Sequence, residues 1–147
     1  MSPRILVLSI ALLGSVPAQA STGMCPTDAD RSQLLAFRDR IAAAKTPQDA
    51  KEMAYKQTRL GHAAIRRAAE ALPGDDGIAE ADARLATFDA GVAGASTQAE
   101  VAAQFDTLMQ TQAQEHRCDY TPSEVAIIVI GFLLGILPGI LFLFLFC

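Results

Sequence analysis

The segment 125–146 constrains this chain more than any other feature, because its 22 residues include no charged, hydroxyl or amide side chain. As one α-helix the segment is roughly 33 Å long, which is enough to cross the hydrocarbon core of a bilayer. A backbone in lipid must satisfy its own hydrogen bonds, and a helix does so. The segment therefore predicts a single transmembrane helix within residues 123–147.

The other end of the chain predicts a cleavable secretory signal over residues 1–20. Arg4 provides the positive start, and residues 5–14 form an apolar run that is too short to span a bilayer. Ala18 and Ala20 then provide the small residues of a cleavage site. An uncleaved anchor is the alternative interpretation of the same run. Export followed by a C-terminal span predicts a single-pass protein of a bacterial inner membrane, with residues 21–122 in the periplasm.

The periplasmic part predicts an all-α fold, an up-down-up-down four-helix bundle with short connections. Apolar side chains recur at spacings of three and four residues, most clearly from Ile78 to Ala95. Thr46, which precedes Pro47, and Thr97, three residues before Glu100, are typical helix N-caps. The predicted helices cover residues 28–44, 47–72, 78–93 and 98–118.

Cys25 and Cys118 lie near the two ends of this bundle. Four antiparallel helices place these ends on the same side, and the periplasm is oxidising, so the two residues are predicted to form a disulfide. In the chain-entropy model such a bridge stabilises the fold by roughly 4–5 kcal/mol. We expect it to matter, because the bundle is rich in alanine and has few large apolar side chains.

Three glycines in the apolar segment predict helix packing. Gly131, Gly135 and Gly139 are spaced four residues apart, so one straight helix places them near one face. Small residues on such a face let a second helix approach closely in lipid, either another copy or a different subunit. The alternative is that they are ordinary for a membrane helix, in which glycine is frequent. Pro138 predicts a kink.

Met24 and His116 are part of a resemblance to a known family of helical bundles. His116 lies in the last turn of the fourth predicted helix, and Met24 precedes the first. The exported domain resembles the periplasmic four-helix b-type cytochromes, in which such residues are the axial haem ligands, and the segment from Glu100 to His116 is similar to that family's last helix. The resemblance implies a haem-binding electron carrier with His116 as a ligand. Met24 departs from the pattern, because it lies outside the helix and Arg31 stands where the helix-borne methionine would fall.

The residues outside these motifs favour a binding role over catalysis. The sequence contains no nucleophile elbow and no metal-ligand spacing, so neither an enzyme nor a metal or cofactor site is predicted. A net charge of -4 with interspersed acids and bases does not suit nucleic acid. The predicted function is that of an accessory or assembly component of an inner-membrane complex. A tethered haem carrier and a periplasmic inhibitor or immunity-type binding protein are the alternatives.

Overall fold

The computed structural model describes residues 25–114 and 120–147. These residues form helices and no strands, which confirms the predicted all-α class. The signal peptide predicted for residues 1–20 lies outside the described residues. The helices are α1 (Asp28–Ala42), α2 (Pro47–Ala71), α3 (Asp76–Gly94), α4 (Gln98–Gln114), α5 (Pro122–Leu134) and α6 (Ile136–Phe146).

Short polar side chains set the helix starts. The predicted N-cap at Thr46 is confirmed, because its hydroxyl accepts a hydrogen bond from the Asp49 N–H at 3.0 Å. Thr97 accepts from the Glu100 N–H at 3.1 Å in the same way. α3 begins earlier than predicted, since the Asp75 carboxylate accepts from the Gly77 N–H at 2.8 Å and caps the helix. Local capping chemistry therefore accounts for these boundaries.

The apolar stripe of α3 packs into the middle of the first four helices, with Leu85 and Val92 completely buried. Phe105 of α4 lies between two other aromatic rings, edge-on to Phe37 of α1 at 5.5 Å and to Phe88 of α3 at 5.0 Å. Edge-to-face pairs at these distances add to the gain from burial. This aromatic cluster ties α1, α3 and α4 together.

The prediction of one continuous helix over residues 123–147 is wrong. α5 ends at Leu134, Gly135 has extended backbone angles, and α6 folds back along α5. The interruption lies one turn before Pro138, which has no N–H to offer the Leu134 carbonyl and whose ring crowds that carbonyl. Among the described residues, no helix combines the length and the hydropathy that a bilayer span requires.

The C-terminal hairpin, meaning α5, Gly135 and α6, belongs to the same core as the other helices. Apart from α6, α5 packs chiefly against α2, and α6 contacts each of α1 to α4. Ile127, Ile128, Ile140 and Phe142 are fully buried within that core. The hairpin thus supplies large apolar side chains to a bundle whose own helices present many alanines.

Candidate functional site

The three glycines of the apolar segment occupy two kinds of position in the hairpin. Gly131 of α5 faces Gly139 of α6, and a Cβ added at Gly131 would lie 3.2 Å from the Gly139 Cα. Gly135 lies in the junction between the two helices. The close helix approach that the spacing suggests therefore occurs between two halves of one segment. Packing against another copy or a different subunit stays a prediction.

Phe142 of α6 fits into a slot formed by two glycines. A Cβ added at Gly61 of α2 would lie 3.1 Å from its Cζ, and one added at Gly131 would lie 2.9 Å from its Cδ2. The ring also stacks on Phe146, with 5.3 Å between centroids. Sequence reasoning missed this slot. Its one signal was a glycine in the middle of an otherwise regular amphipathic helix, α2.

The exposed large apolar side chains of the described residues all belong to the hairpin, in the second half of α5 and at the start of α6, and we call them the apolar tip. They are Val129, Phe132, Leu133 and Ile136, with exposed fractions of 46%, 38%, 79% and 60%. The hairpin sequence around them contains no polar side chain. An exposed apolar patch of this kind marks a contact with a membrane, a ligand or another protein.

The polar contacts of the hairpin lie at the opposite end, its base. The Thr121 hydroxyl caps α5 and the Glu124 carboxylate accepts from the Thr121 N–H at 2.8 Å. Glu124 also lies 3.8 Å from the Arg84 guanidinium of α3. The buried Tyr120 hydroxyl donates to the Leu143 carbonyl at 3.1 Å, which ties the base to α6. The hairpin is thus polar at one end and apolar at the other.

The phenol of Tyr120 is a buried titratable group. Burial raises the pKa of its phenol well above the ordinary value of 10.0, and nearby negative charge on Cys25, Glu124 and Asp30 acts in the same direction. The folded chain therefore holds this phenol in its neutral form, which can donate to the Leu143 carbonyl. Cys25 precedes α1 and Asp30 lies in its first turn, so the base of the hairpin lies beside that helix end.

This raised pKa predicts a loss of stability in alkali. The unfolded phenol ionises from about pH 10 upward, whereas the folded phenol does not, so the neutral phenol's contribution is complete below pH 10 and declines above it. We expect the free energy of unfolding to fall by up to about 1.4 kcal/mol per pH unit from this group.

Urea unfolding at a series of alkaline pH values measures this decline. The Tyr120→Phe variant has no phenol at this position, so the contribution of the Tyr120 phenol to the decline is absent. The control variant Tyr55→Phe retains the Tyr120 phenol and should therefore retain its contribution to the decline. Equal declines in the wild type and Tyr120→Phe would contradict the assignment.

The predicted disulfide is not present. Cys25 is exposed and its thiol is free, while Cys118 lies outside the described residues. The prediction assumed that the two ends of a four-helix bundle meet each other, whereas Cys25 lies near Tyr120 at the base of the hairpin, and Cys147, directly after α6, is disulfide-bonded. The suggested haem ligands, Met24 and His116, also lie outside the described residues.

The other histidine, His62 of α2, lies between two carboxylates of α3. Its Nδ1 is 3.1 Å from an oxygen of Asp82, and its Nε2 is 2.8 Å from an oxygen of Asp89. Within the described part of the chain, no group of three or more histidine, cysteine or acidic residues could hold a metal ion. The two contacts of His62 link α2 to α3.

No protein-family model, curated protein or solved structure matches this chain.

Proposed function

We propose that this protein is a non-enzymatic, membrane-associated helical protein that enters a bilayer with its apolar tip. The observation that carries the proposal is the grouping of Leu133, Ile136 and their exposed apolar neighbours at one end of the hairpin. The transfer of apolar surface from water to hydrocarbon is favourable by about 25 cal/mol per Å², so the tip favours a hydrocarbon environment. Residues 125–146, which include the tip, carry no polar side chain that would oppose that transfer.

The direction of the hairpin supports the same function. The 13 residues of α5 extend roughly 20 Å from the base to the tip. A tip in the hydrocarbon leaves Tyr120, Thr121 and Glu124 near the head groups. The charged side chain of Glu124 then remains hydrated. Because α5 and α6 pack against the other helices, only the exposed side chains of the tip enter the hydrocarbon while the fold is intact.

The biological setting that fits this contact is the bacterial inner membrane, with the helical domain exported to the periplasm. The signal-like residues at the N-terminus support export. We propose that the domain acts there as an accessory or assembly component of a membrane complex, in contact with other membrane subunits or with another copy. The spacing of Gly131, Gly135 and Gly139 is the sequence feature that supports such helix packing.

Charge at the tip is expected to abolish bilayer binding. The double variant Leu133→Asp/Ile136→Asp places two carboxylates where the tip meets hydrocarbon, and each aspartate is strongly unfavourable there. We expect co-flotation with vesicles of phosphatidylethanolamine and phosphatidylglycerol to fall by at least about tenfold in partition coefficient.

Ala99→Asp is the matched control, since Ala99 is exposed in the first turn of α4, where an acid favours the helix dipole. This variant should float like the wild type, and urea unfolding should show that all three proteins are folded. The proposal fails if the wild type does not float, or if the double variant floats equally well.

A further inference from the structure

We propose that the groove between α2 and α3 binds a small zwitterion with an apolar side chain, an α-amino acid of the leucine type. The groove contains a cavity of about 340 Å³ at the end where a short turn joins the two helices. The residues that line it belong to α2, α3 and that turn, so the site lies outside the hairpin. The inference therefore goes beyond the proposed function and does not depend on membrane contact.

The floor of the cavity is apolar. Ile65 and Ala69 lie one turn apart on α2, and Ile78 lies in the first turn of α3. Ile65 and Ile78 are also buried members of the core, so packing from below holds them in place. Gly74 lines the end of the cavity, and its φ of 77° is a left-handed conformation that favours glycine. The apolar floor therefore has a shape that the core and the turn determine.

Two groups of opposite charge line the same cavity, one from each helix. Arg66 of α2 forms no ion pair with the residues that the structure describes, so its guanidinium is available to a ligand. Asp82 of α3 has one carboxylate oxygen 3.1 Å from the His62 Nδ1, which leaves its second oxygen for another donor. A guanidinium binds a carboxylate through two parallel hydrogen bonds, and a carboxylate accepts from an ammonium group. The cavity thus offers a partner to each charge of an amino acid.

A third charged group excludes simpler ligands. Asp75 lies at the turn end of the cavity, where one of its oxygens accepts from the Gly77 N–H at 2.8 Å. Together with Asp82 it opposes the binding of a lone anion, because like charges repel. A lone cation leaves Arg66 without a partner, and an uncharged molecule covers charged groups without pairing them, which is unfavourable. A zwitterion pairs with both signs.

The size of the cavity narrows the class of ligand. Small-molecule pockets usually have volumes of about 300–1,000 Å³, so this cavity lies near the lower limit. A single amino acid suits that volume. Its apolar side chain can cover the floor at Ile65 and Ile78, and the removal of this apolar surface from water adds to the affinity.

Titration of the full chain with L-leucine tests the proposal. With isotope-labelled isoleucine methyl groups, we expect saturable shifts of the Ile65 and Ile78 NMR signals and no shift for Ile41 of α1, which does not line the cavity. Isocaproate lacks the amino group of leucine and isoamylamine lacks its carboxylate, so each should bind at least about tenfold more weakly. Absence of a saturable shift with L-leucine, or an equal affinity for either analogue, overturns the proposal.

A variant at Arg66 tests which group binds the carboxylate. Arg66→Gln should weaken the binding of L-leucine by at least about tenfold. It should also bind L-leucine and isoamylamine with similar affinity, a loss of discrimination that a change in folding does not produce. Arg67→Gln is the matched control, since Arg67 is the next residue of α2 and does not line the cavity, and it should bind like the wild type. Wild-type affinity in Arg66→Gln, or equal losses in the two variants, would contradict the role of Arg66.

Discussion

Replacing Phe142 by alanine is expected to lower the free energy of unfolding by about 3–5 kcal/mol, the usual range for a buried aromatic side chain. The ring is completely buried and lies against Gly61 of α2 and Gly131 of α5. Glycines have no side chain that can move into the space, so the cavity should persist. The loss is large beside a total stability of roughly 5–15 kcal/mol for an ordinary domain.

Urea unfolding of the full chain, followed by circular dichroism, measures this loss. Leu133→Ala is the matched control, because it also shortens an apolar residue of the hairpin but at a position that is 79% exposed. That variant should stay within about 0.5 kcal/mol of the wild type. Similar losses for the two variants would show that the Phe142 ring does not belong to the core in water.

The first four helices could be predicted because their signals are local. Thr46 and Pro47 begin α2 in the sequence and in the structure, and the stripe from Ile78 to Val92 is buried as its period requires. The helix ends were less predictable. At the start of α3 the turn residue Asp75 acts as the N-cap, and its sequence context resembles an ordinary solvated turn.

The C-terminal segment could not be predicted in the same way. Hydropathy shows that a segment is apolar, but it does not show whether the segment packs in a bilayer or in the core of a protein domain. Residues 125–146 suit a bilayer by length and composition. They also suit a slot in the domain, which exists because Gly61 leaves room for Phe142. Pro138 signalled an interruption, but a kink and a full reversal have the same local cause. Tertiary contacts decide between them.

The candidate site was likewise only partly visible in the sequence. The glycine spacing indicated a close helix approach, and the reversal at Gly135 determines that Gly131 meets Gly139 of the same chain. Whether Cys25 forms a disulfide depends on which ends of the chain meet, and this is a property of the whole fold. The apolar tip has no sequence signal of its own, since exposed Leu133 and buried Leu141 have similar neighbours.

Adding one methyl group at Gly131 is expected to destabilise the fold by about 1–3 kcal/mol. The new Cβ would lie 2.9 Å from a Phe142 ring carbon and 3.2 Å from the Gly139 Cα. A ring that fills a slot and a helix backbone cannot easily give way. In open space the same substitution has the opposite sign, because alanine favours a helix over glycine by up to about 1 kcal/mol.

Gly94→Ala supplies that comparison, since Gly94 ends α3 and a Cβ there would meet nothing within 4 Å. Urea unfolding should therefore show a loss for Gly131→Ala and no loss for Gly94→Ala. If both variants are as stable as the wild type, α5 and α6 do not approach as closely as described.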